Sequence, residues 1–316
     1  WYGMFIMPKH LYENTDTATN EYNMKPVGTG PFKFVEFQKG VRVVLERNED
    51  YWGDKAKVAK VIYSIIPDAT TAYQAFRTGE VDYYTAIPSQ NANDFDNDPD
   101  YEVYPVIGMN RSYVTVNMTN DTFKDARVRQ AIAYGIDRQM IWDRCAGGTG
   151  AVASTFIAPN TGFADEKYQM PERDVAKAQQ LLEEAGFKKD ANGIYFSTEM
   201  KFFESGYFKD AATIIQSNLK EVGIDVKLTM LEYAAWVDNV KVNHDFEMTM
   251  AAGYQGPDVS GISGRVGTGT SMNFMGYSNP ELDALLEKGV QISDETERKA
   301  VYSEVQRIMS EEMPII

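Results

Sequence analysis

The stretch Gly253-Tyr254-Gln255-Gly256-Pro257-Asp258 combines side chains that suit the binding of a small molecule. Tyr254 offers a ring for stacking, Gln255 an amide that both donates and accepts, and Asp258 a carboxylate. The apolar run 246–252 reads as a strand, so the stretch follows that strand at its carboxyl end, where open α/β sheets bind their ligands. We therefore expect a ligand site here; a turn or helix N-cap role for Asp258 is the alternative.

Three more polar residues belong to the same predicted region. Glu204 ends another predicted strand at this edge, with ordinary solvated surface as the alternative. Arg265 and Asn273 flank the glycine-rich loop 267–270. A guanidinium group pairs with a carboxylate through two parallel hydrogen bonds, so Arg265 is a candidate ligand clamp; a simple surface arginine is the alternative.

Residue patterns typical of catalysis or metal binding are missing from the sequence. Its two histidines, His10 and His244, are far apart, and Cys145 is the only cysteine. No HExxH, GxSxG, SxxK or GxxxxGK[ST] motif occurs. The sequence thus favours a binding protein over an enzyme, with no cofactor and no metal.

Size and charge set further bounds on the class of protein. The 316 residues include 43% apolar and 24% charged residues, a globular balance that leaves room for two domains. With 31 basic and 46 acidic residues the formal net charge is −15, which disfavours a nucleic acid partner. The sequence has no run of about 18 apolar residues of the kind that spans a membrane.

Strand and helix patterns alternate along the chain, which predicts the α/β class. A strand-rich part gives way to a helix-rich part, so we expect one domain in residues 1–110 and another in 111–316. Gly28 and Gly30 are expected to adopt positive φ in a tight turn, and Gly186 and Gly223 to do so after helices. The predicted strands are 32–37, 41–46, 61–66, 81–85, 101–106, 106–116, 224–228 and 246–250. The predicted helices are 68–77, 126–144, 176–185, 208–222, 280–290 and 295–312.

Six motifs occur in an order that matches a known family. They are VGTGPF (27–32), RNEDYW (47–52), TGEVD (78–82), FKDARVRQAI (123–132), AQQLLEEAG (178–186) and YSNPELD (277–283). In these motifs the chain resembles the family 5 extracellular solute-binding proteins, which include dipeptide, oligopeptide and nickel binders. The motifs cover nearly the whole chain, and each one alone would be a weak signal.

The resemblance implies a two-lobed fold of the type II periplasmic-binding-protein class, incomplete at both ends of this sequence. It implies the substrate-binding component of an ABC importer, which captures a short peptide between its lobes by hinge closure. The expected partners are the importer's permease subunits, and the protein is expected to be a monomer. Its expected location is extracytoplasmic, in the periplasm or on the outer face of the cell membrane as a lipoprotein. An oligosaccharide, opine or metal chelate is the alternative ligand, and a hydrolase or a purely interaction-forming domain is a more distant alternative.

The resemblance also implies roles for particular residues. Peptide-binding members carry an aromatic residue and then an aspartate that pairs with the ligand's α-ammonium group. Tyr254 matches the aromatic position, but Pro257 stands where that aspartate is expected and Asp258 follows one residue later. Tyr233 and Trp236 lie where the family sets aromatic rings against the ligand. A place in the core is the alternative for Trp236.

Overall fold

The chain divides into two compact units in a computed structural model, Trp1–Ala92 and Asn93–Ile316. The described residues are 6–17, 19–85, 87–88, 91, 93–104, 108, 110–146, 150–256 and 258–316. Each unit is considered by itself. The predicted division of the complete protein into lobes at residue 110 stays a prediction.

A three-stranded antiparallel sheet is the main feature of the first unit. Its strands, in the spatial order β1-β2-β3, are β1 (Phe32–Gln38), β2 (Arg42–Arg47) and β3 (Lys60–Ser64). Gly40 lies in the turn between β1 and β2 with φ 74°, a backbone conformation that glycine adopts without steric cost. The predicted hairpin and the third strand are confirmed.

Two short helices accompany this sheet, α1 (Lys9–Tyr12) and α2 (Ala69–Arg77). The carboxylate of Asp68 accepts a hydrogen bond from the backbone N–H of Thr71 at 2.7 Å, which satisfies one free donor of the first helical turn. The predicted helix and its cap are therefore confirmed. After α2 the chain reverses at Gly79, whose φ is 74°.

Two glycines of the first motif adopt a backbone different from the one predicted. Neither Gly28 nor Gly30 has a positive φ, so the expectation of a left-handed turn was wrong. The loop is held from outside instead: Asn48 donates its side-chain amide to the carbonyl of Gly30 at 3.2 Å and its backbone N–H to the carbonyl of Pro31 at 2.8 Å. These two bonds join the first motif to the second.

Two predicted strands do not form. Residues 81–85 are irregular, because the backbone N–H groups of Glu80 and Val81 both donate to the carbonyl of Ala75, at 2.8 and 3.3 Å, and hold the chain against the end of α2. Residues 101–104 are also irregular, and Tyr101 donates its backbone N–H to Asp98 at 3.1 Å in a turn. The rest of that predicted strand, residues 105 and 106, lies outside the described residues.

A four-stranded mixed sheet is the framework of the second unit. Its spatial order is β4-β7-β5-β6; β5 runs parallel to both β6 and β7, and β4 runs antiparallel to β7. The strands are β4 (Asn110–Val116), β5 (Phe196–Phe203), β6 (Ile224–Leu231) and β7 (Met248–Tyr254). Of the predicted crossing strand 106–116, the part from Asn110 onward is confirmed, and residues 106, 107 and 109 lie outside the described residues.

Residues 126–144, predicted as one helix, form two: α3 (Ala126–Gly135) and α4 (Arg138–Cys145). The break comes at Ile136, whose backbone is extended with φ −87° and ψ 127°. Asp137 then caps α4 by accepting from the N–H of Met140 at 2.8 Å. Its own N–H donates to the side-chain oxygen of Asn218 at 3.0 Å. The apolar residues keep their helical spacing across the break, so the sequence pattern predicted a single helix.

The remaining helices agree closely with the sequence patterns. Gly223 with φ 103° ends α6, and Gly186 with φ 93° follows α5, as predicted. None of the helices among the described residues combines the length and the apolar character needed to cross a bilayer. The helices are α5 (Val175–Glu184), α6 (Phe208–Val222), α7 (Tyr233–Trp236) running into a π-helix (Val237–Val242), α8 (Ser263–Val266), α9 (Pro280–Gln291) and α10 (Glu295–Glu312). The predicted α/β class is confirmed.

Candidate functional site

Three parallel strands of the second unit end at the same edge of the sheet. Phe203 pairs with Leu231 at the ends of β5 and β6, so Glu204 and Glu232 follow side by side. The antiparallel strand β4 begins at this edge, where Asn110 pairs with Tyr254 of β7. The edge of an α/β sheet at the carboxyl ends of its strands is the usual place for a ligand, and we call this the carboxyl edge.

Three of the residues predicted to bind ligand are exposed at the carboxyl edge. Glu204 is exposed, Tyr233 is 56% exposed and Tyr254 is 41% exposed. The ring of Tyr233 packs edge-on against Phe203 at a centroid distance of 5.0 Å and is stacked on Trp236 at 6.0 Å. The exposed tyrosine is thus held in position by a buried tryptophan and a partly buried phenylalanine while part of its own surface stays open.

Trp236 lies in the core beneath Tyr233, with only 2% of its surface exposed. Its indole N–H donates to the hydroxyl of Thr249 at 2.9 Å, and its ring packs against Phe203 and Phe274. The sequence left both a ligand contact and a core position open for this residue. The structure favours the core position.

Gln255 is also buried, and both ends of its amide are used within the chain. The oxygen accepts from the backbone N–H of Ala158 at 3.1 Å, and the nitrogen donates to the carbonyl of Phe156 at 3.0 Å. These two bonds fix the segment after β7 to a segment about a hundred positions earlier in the chain. Gln255 supports the carboxyl edge, and its predicted ligand contact stays a prediction without geometric support.

Asp258 forms an ion pair inside the chain. Its two carboxylate oxygens accept from the guanidinium of Arg298 at 2.6 and 2.7 Å, and one also accepts from the N–H of Ser260 at 2.9 Å, which caps a short 3-10 helix. Hydrogen bonding to Arg298, more than the bond to Ser260, holds the pKa of Asp258 far below its usual range, although burial acts in the opposite direction. Asp258 therefore has the helix N-cap role that the sequence analysis gave as the alternative to ligand binding. Pro257 lies outside the described residues.

Arg265 is a buried residue, 1% exposed, and not a surface arginine. Its guanidinium carbon lies 5.2 Å from the ring centroid of Tyr113, and one nitrogen donates to the carbonyl of Tyr254 at 3.2 Å. A Cβ atom on Gly253 would overlap that same nitrogen, so a side chain at this position would require the guanidinium to shift. Burial lowers the pKa of Arg265.

Asn273 organises the loop that follows α8. Its side-chain amide donates to the carbonyls of Gly267 and Tyr277, both at 2.8 Å, and its oxygen accepts from the N–H of Tyr277 at 3.2 Å. Only 8% of Asn273 is exposed. Its predicted ligand contact therefore stays a prediction, while its role in holding the loop is evident from the bonds.

Sequence reasoning missed other residues of the carboxyl edge. Tyr207 donates its hydroxyl to that of Ser112 in β4 at 2.9 Å, and the exposed Glu232 follows β6 directly. Arg111 of β4 donates to the carbonyl of Phe156 at 2.6 Å and to that of Thr155. The end of β6 was a usable signal for Glu232, whereas the contacts of Tyr207 and Arg111 depend on distant segments. Among the described residues, no group of three or more His, Cys, Asp or Glu side chains is placed to hold a metal ion.

Comparison with known proteins gives consistent likenesses. A family model described as "Bacterial extracellular solute-binding proteins, family 5 Middle" matches residues 1–273. The oligopeptide-binding protein AppA of Bacillus subtilis (strain 168) is 31% identical over 98% of this chain and 60% of its own length. The structure of AppA from Bacillus subtilis in complex with a nonapeptide gives a TM-score of 0.81 at 28% identity, over 98% of this chain and 65% of that one. NikZ from Campylobacter jejuni in complex with Ni(L-His) gives a TM-score of 0.82 at 25% identity, over 98% of this chain and 64% of that one.

These matches bear on both the fold and the family. The structural likenesses confirm the predicted fold class, the two-lobed periplasmic-binding-protein type, and the relatives are named as binding proteins. The chain spans 60% of the length of this relative of Bacillus subtilis and 56% of the length of another, the di/tripeptide-binding protein 1 of Pseudomonas aeruginosa (strain UCBPP-PA14). The family model covers more than half of the chain, in agreement with the six sequence motifs. The chain belongs to family 5 of the bacterial extracellular solute-binding proteins.

Proposed function

We propose that the complete protein captures a short peptide outside the cytoplasm and delivers it to an ABC importer. The observation that carries the proposal is the carboxyl edge, where two exposed tyrosines and a carboxylate lie at or just after the carboxyl ends of three parallel strands. The likeness to a protein whose structure contains a nonapeptide supports a peptide as the ligand. Hinge closure of the two lobes encloses the ligand and removes it from water.

The exposed residues of the edge are the ones that contact the ligand in this proposal. Tyr233 and Tyr254 supply stacking surface, and Glu204 supplies a carboxylate for a ligand ammonium group. Asp258 is less suited to that task, because Arg298 already neutralises its charge. Four predicted residues are buried and support the carboxyl edge from the interior without contacting the ligand: Trp236, Gln255, Arg265 and Asn273.

The proposal includes the protein's partners and location. Family membership supports an extracytoplasmic binding protein that acts with permease subunits and performs no catalysis. We propose a monomer that resides in the periplasm or is attached by a lipid to the outer face of the cell membrane. Mass spectrometry of the protein purified from membranes tests whether a lipid is attached.

A metal chelate is the second candidate ligand. The specific observation in its favour is the likeness to NikZ in complex with Ni(L-His), at nearly the same TM-score as the peptide complex. The rings of Tyr233 and Tyr254 would then stack on the organic part of the chelate.

Calorimetric titration of the complete protein with a peptide library, and in parallel with Ni(L-His) and a panel of sugars, tests the proposal. We expect heat only with peptides. In the variant Tyr254→Ala the affinity should fall by about 1–3 kcal/mol, since a stacked, partly buried ring is removed. The control Tyr168→Ala removes a half-buried tyrosine at the short 3-10 helix Glu166–Tyr168, outside the carboxyl edge, and should leave affinity unchanged. Binding heat with Ni(L-His) and none with any peptide would contradict the peptide proposal and favour a metal chelate as the ligand.

A further inference from the structure

The helix that follows β6 changes its hydrogen-bond register shortly after it begins. In α7 the backbone N–H of Trp236 donates to the carbonyl of Glu232, four positions earlier, at 2.8 Å. At the end of the π-helix the N–H of Asn243 donates to the carbonyl of Asp238, five positions earlier, at 2.9 Å. Turns of this wider kind are rare and are found frequently at functional sites, and this one continues the helix that carries Tyr233.

Asn239 lies where the register changes. Its side-chain amide donates to the carbonyl of Ala235, four positions earlier, at 2.8 Å. In a continuous α-helix that carbonyl is the acceptor for the backbone N–H of Asn239 itself. A side chain that bonds to this acceptor competes with the backbone and weakens the α register. The bond therefore satisfies a carbonyl at the end of α7 and favours the wider turn that follows.

The position of Tyr233 depends on where the α register ends. Its ring stacks on that of Trp236, three positions later, with the two planes 21° apart. Side chains three positions apart are neighbours on one face of an α-helix. A π-helix has more residues in each turn, so the same spacing turns the two side chains further apart. If the wider register extended back over α7, Tyr233 would lose its place over Trp236.

The beginning of α7 contributes little to holding this geometry. The helix (Tyr233–Trp236) has four residues, about one turn, and a single turn is unstable by itself. Among the described residues, the carboxylate of Glu232 makes no capping hydrogen bond to that turn. The turn is held from its other end, by the bond of the Trp236 indole to Thr249 at 2.9 Å and by the bond of Asn239.

The far end of the π-helix is fixed by distant segments. His244 follows shortly after it with φ 53°, a conformation that residues other than glycine seldom adopt. Its ring Nδ1 donates to the carbonyl of Phe274 at 2.8 Å, and its own carbonyl accepts from the side-chain amide of Asn117 at 3.0 Å. An unfavourable backbone conformation persists only where its surroundings hold it. Because this end is held, the change of register is set at the near end, where Asn239 lies.

We propose that Asn239 is a positioning residue of the ligand site. Through its bond to Ala235 it ends the α register at Trp236 and so keeps Tyr233 stacked and open at the carboxyl edge. The inference rests on the proposed function and deepens it, because it names the contact that fixes one of the two exposed rings. Asn239 is half-buried and acts through Tyr233 without touching the ligand. A ring that is already fixed loses less conformational freedom when the ligand binds, which favours affinity.

A double-mutant cycle in the complete protein tests this role with one peptide that binds the unaltered protein. We expect Asn239→Ala to weaken binding by about three- to tenfold, because Tyr233 is no longer held for stacking. In the Tyr233→Ala background the same change should weaken binding by less than about twofold, since the ring through which Asn239 acts is already gone. The melting temperature of Asn239→Ala should fall by a few degrees at most, as expected for one hydrogen bond.

A rescue variant and a matched control separate the hydrogen bond from the side chain that makes it. Thr213 of α6 donates its hydroxyl to the carbonyl of Lys209, also four positions earlier, at 3.0 Å. Asn239→Thr should therefore restore the bond to Ala235 and bring the affinity within about twofold of the unaltered protein. The control Thr213→Ala removes a bond of the same kind from an exposed position of α6 and should leave the affinity unchanged.

Several outcomes would overturn the inference. Unchanged affinity of Asn239→Ala is one, and an equal loss with and without the ring of Tyr233 is another. Asn239→Thr binding as weakly as Asn239→Ala would contradict the role of the hydrogen bond. A melting temperature of Asn239→Ala lower by about ten degrees or more would mark the residue as structural.

Hydrogen exchange keeps the inference testable if no peptide binds the unaltered protein and the proposed function fails. In ligand-free Asn239→Ala the backbone amides of residues 234–243 should exchange about three- to tenfold faster than in the unaltered protein, and those of α6 at the same rate. Asn239→Thr should return the faster amides to their original rate. This result would support the positioning role although the peptide proposal has failed. Unchanged exchange in residues 234–243 would overturn the positioning role whatever the ligand is.

Discussion

Replacing Asp258 by asparagine separates the two roles that its carboxylate plays. Asparagine still accepts the hydrogen bond from the N–H of Ser260, because it caps helices about as well as aspartate. It loses the charge that pairs with Arg298 through bonds of 2.6 and 2.7 Å. The guanidinium remains near the rings of Phe163 and Tyr302, at 5.3 and 5.5 Å, without a counter-ion.

The expected loss of stability follows from the exposure of the pair. Charge-assisted hydrogen bonds contribute about 1.5–3 kcal/mol, whereas ion pairs in full contact with solvent contribute about 0–1 kcal/mol. The side chain of Arg298 is 18% exposed and that of Asp258 50% exposed, so the pair lies between these limits. We expect Asp258→Asn to lower the free energy of unfolding by about 1–2 kcal/mol.

The dependence on pH has a definite sign. The pKa of Asp258 is lowered in the folded protein, so the pair's contribution is complete above the ordinary carboxyl pKa of about 4 and is lost as the pH falls through the folded pKa. The difference in stability between the unaltered protein and Asp258→Asn should therefore be constant at neutral pH and shrink only in strong acid.

Urea unfolding of Asp258→Asn, Arg298→Met and the double variant measures the pair directly. The coupling energy should be about 1–2 kcal/mol, and peptide affinity should change by less than about threefold. Asp174→Asn is the matched control, since Asp174 caps α5 and forms no ion pair with any of the described residues, and it should change stability by a few tenths of a kcal/mol. A coupling energy near zero would refute the ion pair. A hundredfold loss of affinity at unchanged stability would show that Asp258 binds the ligand's ammonium group after all.

Two glycine substitutions test the close contacts of the second unit. Gly253→Ala should destabilise the protein by about 1–3 kcal/mol in urea unfolding, because its Cβ would overlap the buried guanidinium of Arg265 and force it to shift; Gly264→Ala, with its nearest contact at 3.8 Å, is the control and should cost far less. Gly223→Val should cost about 1–2 kcal/mol or more in the same measurement, since φ is 103° and the new Cβ would approach the carbonyl of Gly193 to 2.8 Å. Unchanged stability of either variant would mean that the backbone there is less constrained than the structure indicates.

Local sequence determined most of the secondary structure. Several helix starts were readable from a capping side chain before the first turn, as with Asp68 for α2 and Asn279 for α9, whereas Asp137 caps α4 and its signal was missed. Glycines after α5 and α6 marked the helix ends, because positive φ is easily adopted only by glycine. These signals depend on a few neighbouring residues, and so does the position of the carboxyl edge, which follows from where the strands end. Six motifs spread along the chain were enough to identify the family.

Tertiary structure alone decided which residues of the predicted site face solvent. Asp258 meets its partner Arg298 40 positions later, and Gln255 bonds to an amide group 97 positions earlier and to a carbonyl group 99 positions earlier. Trp236 has the residue type of a ligand contact, yet β7 provides a hydroxyl beneath it that satisfies its N–H in the core. Periodicity assigns a side chain to one face of a strand or helix, but whether that face is covered depends on segments distant in sequence that pack against it.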